Sequence, residues 1–134
     1  MTVMRLAASL AAVCFFAGCS SQGGSGGPTE EGYTLLQEVN DLLHSSPAAG
    51  RPPGKLADLN AHQQMFPRAY AAIKSGAVVV LWGAPLKGEG EASKDDPIIA
   101  YQKEVPTDGG YVLLAAGQVK KMSASEFQSA PKAK

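Results

Sequence analysis

The stretch "IIAYQKEVPTDGGYVLLAAGQVKKMSASE", Ile98 to Glu126, decides the fold. Ile98–Lys103 is apolar and β-branched at its start, which predicts a strand. "EVPTDGG", with its proline, aspartate and two glycines, predicts a turn, and Tyr111 opens a second strand, "YVLLA". Ala116 and Gly117 predict a two-residue hairpin turn into "QVKKM", a third strand. Ser123 and Glu126 have the spacing of a capping box, so a short helix should start there and run through Phe127. Strands joined by connections this short run antiparallel, because a parallel return needs a crossover of a dozen residues or more.

Upstream, "AVVVLW", Ala77–Trp82, is continuously apolar and fits a central strand covered on both faces, with Trp82 in the core. Before it, "PRAYAAIKSG" has Pro67 at a helix start, Tyr70 and Ile73 on one face, Lys74 in the last turn and Gly76 past the end. "LADLNAHQQMF" places Leu56, Leu59 and either Gln63 or Phe66 together as a short helix or ragged turn. "SSPAAGRPPGK", Ser45–Lys55, is a loop by its prolines and glycines. "TEEGYTLLQEVNDLLHSS" sets Gly32, Leu35, Leu36, Val39, Leu42 and Leu43 at helical spacing, with Thr29 as the expected N-cap and Glu30 and Glu31 where the helix dipole favours negative charge. The expected fold class is therefore α+β: an N-terminal amphipathic helix and short helices on a small, mostly antiparallel three- to four-stranded sheet, with a short C-terminal helix. Residues 29–130 should form a single domain, and 131–134 a disordered tail.

A chain of 134 residues supports one core. Twelve basic residues balance twelve acidic ones, so nothing suggests the electrostatic footprint of a nucleic-acid or anionic-membrane partner. The G-x-S-x-G elbow, the P-loop and H-E-x-x-H are absent, and His44 and His62 read as surface histidines. No enzyme and no cofactor is expected. Glu89, Glu91, Asp95 and Asp96 form an acidic stretch in the loop Gly83–Pro97. They lack the alternating spacing of a calcium loop, and Lys87 and Lys94 sit among them, so a solvated loop is the expectation and calcium the minor alternative.

The first residues are of another kind. Arg5 precedes an apolar run, Leu6–Phe16, of the length of a secretory h-region and too short to span a bilayer, which takes about 20 residues. "FAGC", Phe16, Ala17, Gly18 and Cys19, resembles the lipobox of bacterial lipoproteins, with Phe16 where the usual form has leucine. The resemblance implies a signal peptide over residues 1–18, cleavage between Gly18 and Cys19, and lipidation of the Cys19 thiol. Ser20 is not the aspartate that commonly retains lipoproteins at the inner membrane, which implies an envelope protein facing the periplasm, with the outer membrane favoured. Cleavage would remove Cys14 and leave Cys19 without an intramolecular disulfide partner, while the following glycines deny it nearby metal ligands or a general base. Cys19 and "SSQGGSGGP" make a flexible linker over residues 19–28. Its reach is roughly 15 to 18 Å.

Residues 76–128 carry a second likeness. "VLWG" and "IIAYQKEVPTDGGYVLLAAGQVKKMSASEF" resemble the C-terminal region of small exported pilin-like and pseudopilin-like proteins of planctomycete-type bacteria, with Ala116 where the usual ending has aspartate. That likeness implies a small sheet packed by a helix and names no active site. The expected function is a lipid-anchored envelope protein with a non-catalytic binding or assembly domain, monomeric and membrane-bound through Cys19. The alternatives are a pseudopilin-related component of a type II secretion or pilus-like apparatus, and a small envelope enzyme or ligand sensor. The expected contact surface for an envelope protein partner is a sheet edge, formed either by the strand ending near Lys103 or by the one ending near Met122, with Lys103, Lys120 and Lys121 as the contact residues, since an edge strand leaves backbone groups unpaired.

Overall fold

The structure is a computed structural model and describes residues 28–45, 51–88, 93 and 95–134. The first helix, α1, spans Pro28–Ser45. It begins one residue before the expected cap, because a proline loses nothing in a first turn whose N–H groups have no intrahelical partner. Thr29 thus lies inside the first turn. Leu36, Val39, Leu42 and Leu43 are buried, as their spacing requires, each contributing on the order of 1.5–3 kcal/mol of apolar burial. A 3₁₀ helix, Leu56–His62, buries Leu59, and α2, Pro67–Ser75, buries Tyr70 and Ile73 and ends before Gly76.

Four strands follow: β1 Val78–Val80, β2 Ile98–Gln102, β3 Gly110–Leu114 and β4 Val119–Met122. Between β2 and β3 lies a single helical turn, α3 Val105–Asp108, where the sequence predicts only a turn; Pro106 suits its first turn and Val105 is fully buried. The chain closes with α4, Ala124–Ser129. Every strand pair is antiparallel and the order is β1-β2-β3-β4, a meander. The fold is α+β with a four-stranded antiparallel sheet and a short C-terminal helix.

The sheet order corrects the expectation for "AVVVLW". The strand that forms within it, β1, is an edge strand and not a central one. The run is apolar because Val78 and Val80 lie under α1 and α2, while Val79 is half-buried. Trp82 packs partly buried against that same core.

The sheet separates two cores. On one face Leu36, Val39, Leu42, Leu59, Ile73 and Leu113 meet among α1, the 3₁₀ helix, α2 and the sheet. On the other, Ile98, Val105, Val112, Leu114, Met122 and Phe127 meet beneath α3 and α4, with Phe127 and Tyr101 rings 4.8 Å apart. The alternation of Val112 and Leu114 against Leu113 along β3 is the period of two that serves two faces. A bulge between Ile98 and Ala100 shifts the register once.

The hairpin between β3 and β4 has a three-residue loop, Ala115–Gly117, rather than the two-residue turn expected. Gly117 donates to Leu114 O, Leu114 donates to Gln118 O, and Gly117 sits at φ 83, the left-handed position that a three-residue loop with a bulge demands. The tail is a further correction, for residues 131–134 are not a loose end. Ile98 donates to Pro131 O and Ala133 donates to Ile98 O, both at 2.9 Å, in a parallel bridge along β2 where β1 has already ended. Lys132 fastens it, its Nζ donating to Phe127 O at 2.7 Å and lying 4.4 Å from the Phe127 ring.

Candidate functional site

Phe16, Ala17, Gly18 and Cys19 lie outside the described residues, as do Glu89 and Glu91 of the acidic loop. The other two acids of that loop part company. Asp95 is exposed, whereas Asp96 is 4% exposed and accepts hydrogen bonds from Lys87 Nζ and from Ser93 N at 2.8 Å. The Lys87 bond, and then the Ser93 bond, hold the Asp96 carboxyl below its ordinary range. Asp96 is thus a latch that closes the loop onto Lys87, and its carboxylate is already engaged. Among the described residues, no group of three or more His, Cys, Asp or Glu side chains is placed to hold a metal ion.

His44 and His62 stand on separate elements, the end of α1 and the end of the 3₁₀ helix. The His44 ring faces two carbonyls, Nδ1 at 2.9 Å from Asn40 O and Nε2 at 3.4 Å from Lys87 O, and so ties α1 to the loop. It has no side-chain partner that would make it a catalytic base among the described residues.

The lysines divide as well. Lys103 follows β2, an inner strand, and its N–H donates to Ala77 O at 2.9 Å; it is exposed but does not lie on a sheet edge, which corrects its place in the expected contact surface. Lys120 and Lys121 do lie on an edge, in β4. They point to opposite faces. Lys121 pairs across from Tyr111 and its Nζ lies 6.0 Å from that ring, while Lys120 pairs across from Val112 on the α4 side. The capping box forms as its spacing predicts: Ser123 N donates to Glu126 Oε2 at 2.7 Å and Glu126 N to Ser123 Oγ at 3.2 Å. Hydrogen bonding to Ser123, through its backbone N–H first and then its side chain, holds the Glu126 carboxyl below its ordinary range.

A feature with no motif in the sequence lies at the end of β4. A cleft of about 660 Å³ is bounded by Gln102, Gly110, Tyr111, Lys121, Met122 and Glu126, with Asp108, Gly109 and Ser123 completing its wall. Gln102 shapes it: its Oε1 accepts from Tyr111 N at 2.8 Å, so the side chain carries on the β2–β3 ladder where the β2 backbone turns away into α3. Tyr33 of α1 meets the Tyr111 ring edge-on at 6.0 Å. The volume is that of a site for a side chain or small molecule. The residues around it come from β2, α3, β3, β4 and α4, and no spacing along the chain announces them.

No family model, no curated protein and no solved structure matches this chain. Among the described residues, no helix is long and apolar enough to cross a membrane.

Proposed function

We propose that this chain is a lipid-anchored envelope protein in which Cys19 holds a non-catalytic binding domain close above a bilayer. The anchor half of the reading rests on Phe16–Cys19 following the apolar run Leu6–Phe16, eight residues of glycine, serine and glutamine before the first residue of α1, Pro28. Two or three acyl chains at about 0.8 kcal/mol per buried methylene make a lasting anchor. The observation that carries the binding half is the open outer side of β4, an exposed edge strand bearing Lys120 and Lys121 beside a cleft. Strand edges of this kind recognise partners through the backbone and need no catalytic constellation.

The test of the anchor is Cys19→Ser in cells grown with an alkyne analogue of palmitate. The native chain should label and sediment with membranes, and the variant should do neither. An unlabelled native chain in the soluble fraction refutes the anchor.

A further inference from the structure

The hairpin bonds fix which backbone groups of β4 face outward. Leu114 N donates to Gln118 O, and the register pairs Val112 with Lys120 and Gly110 with Met122. In an antiparallel ladder the bonded residues alternate, so Lys120 and Met122 turn their N–H and C=O groups toward β3 while Val119 and Lys121 turn theirs away. No described residue bonds the main chain of Val119 or Lys121 from that outer side. Lys121 therefore does two things at once: its backbone belongs to the open edge, and its side chain bounds the cleft.

We propose that β4 captures an extended acidic segment of an envelope partner by strand addition, with an apolar side chain of that segment seated in the cleft beside Tyr111 and Met122. The proposal rests on the binding-domain reading above and names its partner chemistry. Backbone bonds to Val119 and Lys121 supply affinity, and the cleft and the two lysines supply selection. Consecutive residues of an added strand face opposite sides of the sheet, so two adjacent acids place one carboxylate against Lys120 and the other against Lys121. The same lysines reject a second copy of this chain. The self-pairing register that uses both Val119 and Lys121 sets Lys120 of each copy opposite its twin, and like charges directly opposite are destabilising.

The test uses the full chain, labelled with nitrogen-15 and held in zwitterionic detergent micelles. The probe is a capped hexapeptide, VFEEVT, beside two controls: the same peptide with lysines in place of its glutamates, and the same peptide N-methylated at alternate residues. The acidic peptide should shift the amide signals of Tyr111, Val119, Lys121 and Met122 saturably, and both controls should fail. The double variant Lys120→Glu with Lys121→Glu should bind it about tenfold more weakly or worse, since each reversal replaces an attraction with a repulsion. Both lysines are exposed, and the Ala100 and Leu113 amide signals report whether the fold is kept. Absence of any shift at millimolar acidic peptide, equal binding of either control, or shifts confined to another surface overturns the proposal. A concentration-dependent dimer through β4 overturns it as well. None of these outcomes alters the Cys19→Ser fractionation, so failure of the edge and failure of the anchor are told apart.

Discussion

Gly32 of α1 lies directly over the side chain of Gln102 of β2, so close that a Cβ at position 32 would stand 2.5 Å from Gln102 Nε2 and 3.1 Å from Tyr111 Cδ2. A glycine in a helix interior costs about 1 kcal/mol against alanine, so its presence here reflects the close approach of helix to sheet. Gln102 cannot retreat freely, because its Oε1 accepts from Tyr111 N. Gly32→Ala should therefore lower stability. Overpacking of about 1–3 kcal/mol and the loss of a bond of about 1 kcal/mol outweigh the gain of about 1 kcal/mol in helix propensity, for a net loss of about 1–3 kcal/mol. Urea unfolding should show a lower midpoint at unchanged slope, and combining the change with Gln102→Ala should cost less than the sum of the two.

Lys87 and Asp96 make a second checkable pair. The Asp96 carboxyl is depressed in the folded chain, so its contribution to stability is fully present above the unfolded value near 3.8 and is lost as pH falls through the folded one. Glu126, depressed by Ser123, adds to the same acid sensitivity from 4.5 downward. Thermal midpoints should hold steady above about pH 5 and fall below about pH 4. Asp96→Asn should lower the midpoint at neutral pH and fall less steeply in acid, leaving the share that belongs to Glu126. Parallel acid profiles for the two chains would mean that the Lys87 bond contributes nothing in solution.

The elements legible in the sequence are those whose signals are local. The apolar face of α1 and the Ser123–Glu126 capping box each declare themselves within a few residues, and the structure keeps both. What the sequence hides is decided at a distance. Val78–Val80 would read the same at the centre of a sheet or at its edge under two helices, because apolar continuity reports cover and not neighbours. Pro106, Asp108 and Gly109 suit a turn and a one-turn helix equally, and the burial of Val105 against Phe127 settles the matter. Lys103 resembles Lys120 in sequence context, yet one follows an inner strand and the other lies on the edge. The cleft gathers residues from five elements, so no single window contains it.

The capping box should matter beyond its own helix. α4 has six residues, too few to persist alone, and it carries Phe127 into the second core against Tyr101. Ser123→Ala removes the side-chain acceptor for Glu126 N and should cost about 1 kcal/mol. Ser123→Asp, which restores an acceptor, should recover most of that loss. Urea midpoints for the three chains give the comparison, and an alanine variant as stable as the native chain would mean that packing of Phe127 alone holds α4.

The C-terminal tail offers the most local readout. Ile98 is fully buried, and its N–H is bonded to Pro131 O across a gap that β1 does not reach. Truncation after Ala130 removes that acceptor, the Ala133 bond to Ile98 O and the Lys132 clasp on Phe127 O. A buried donor left without a partner costs about 1–3 kcal/mol, so the chain should either lose that much stability or open locally and admit water. Both routes speed hydrogen exchange at the Ile98 amide. Local opening leaves the amides of the inner ladder, such as Ala100 and Leu113, protected relative to Ile98, whereas global loss raises all of them together. Lys132→Ala keeps the backbone bonds and removes the clasp, so its Ile98 exchange should fall between the native and truncated chains. An Ile98 amide equally protected in all three would show that the tail does not hold the start of β2 in solution.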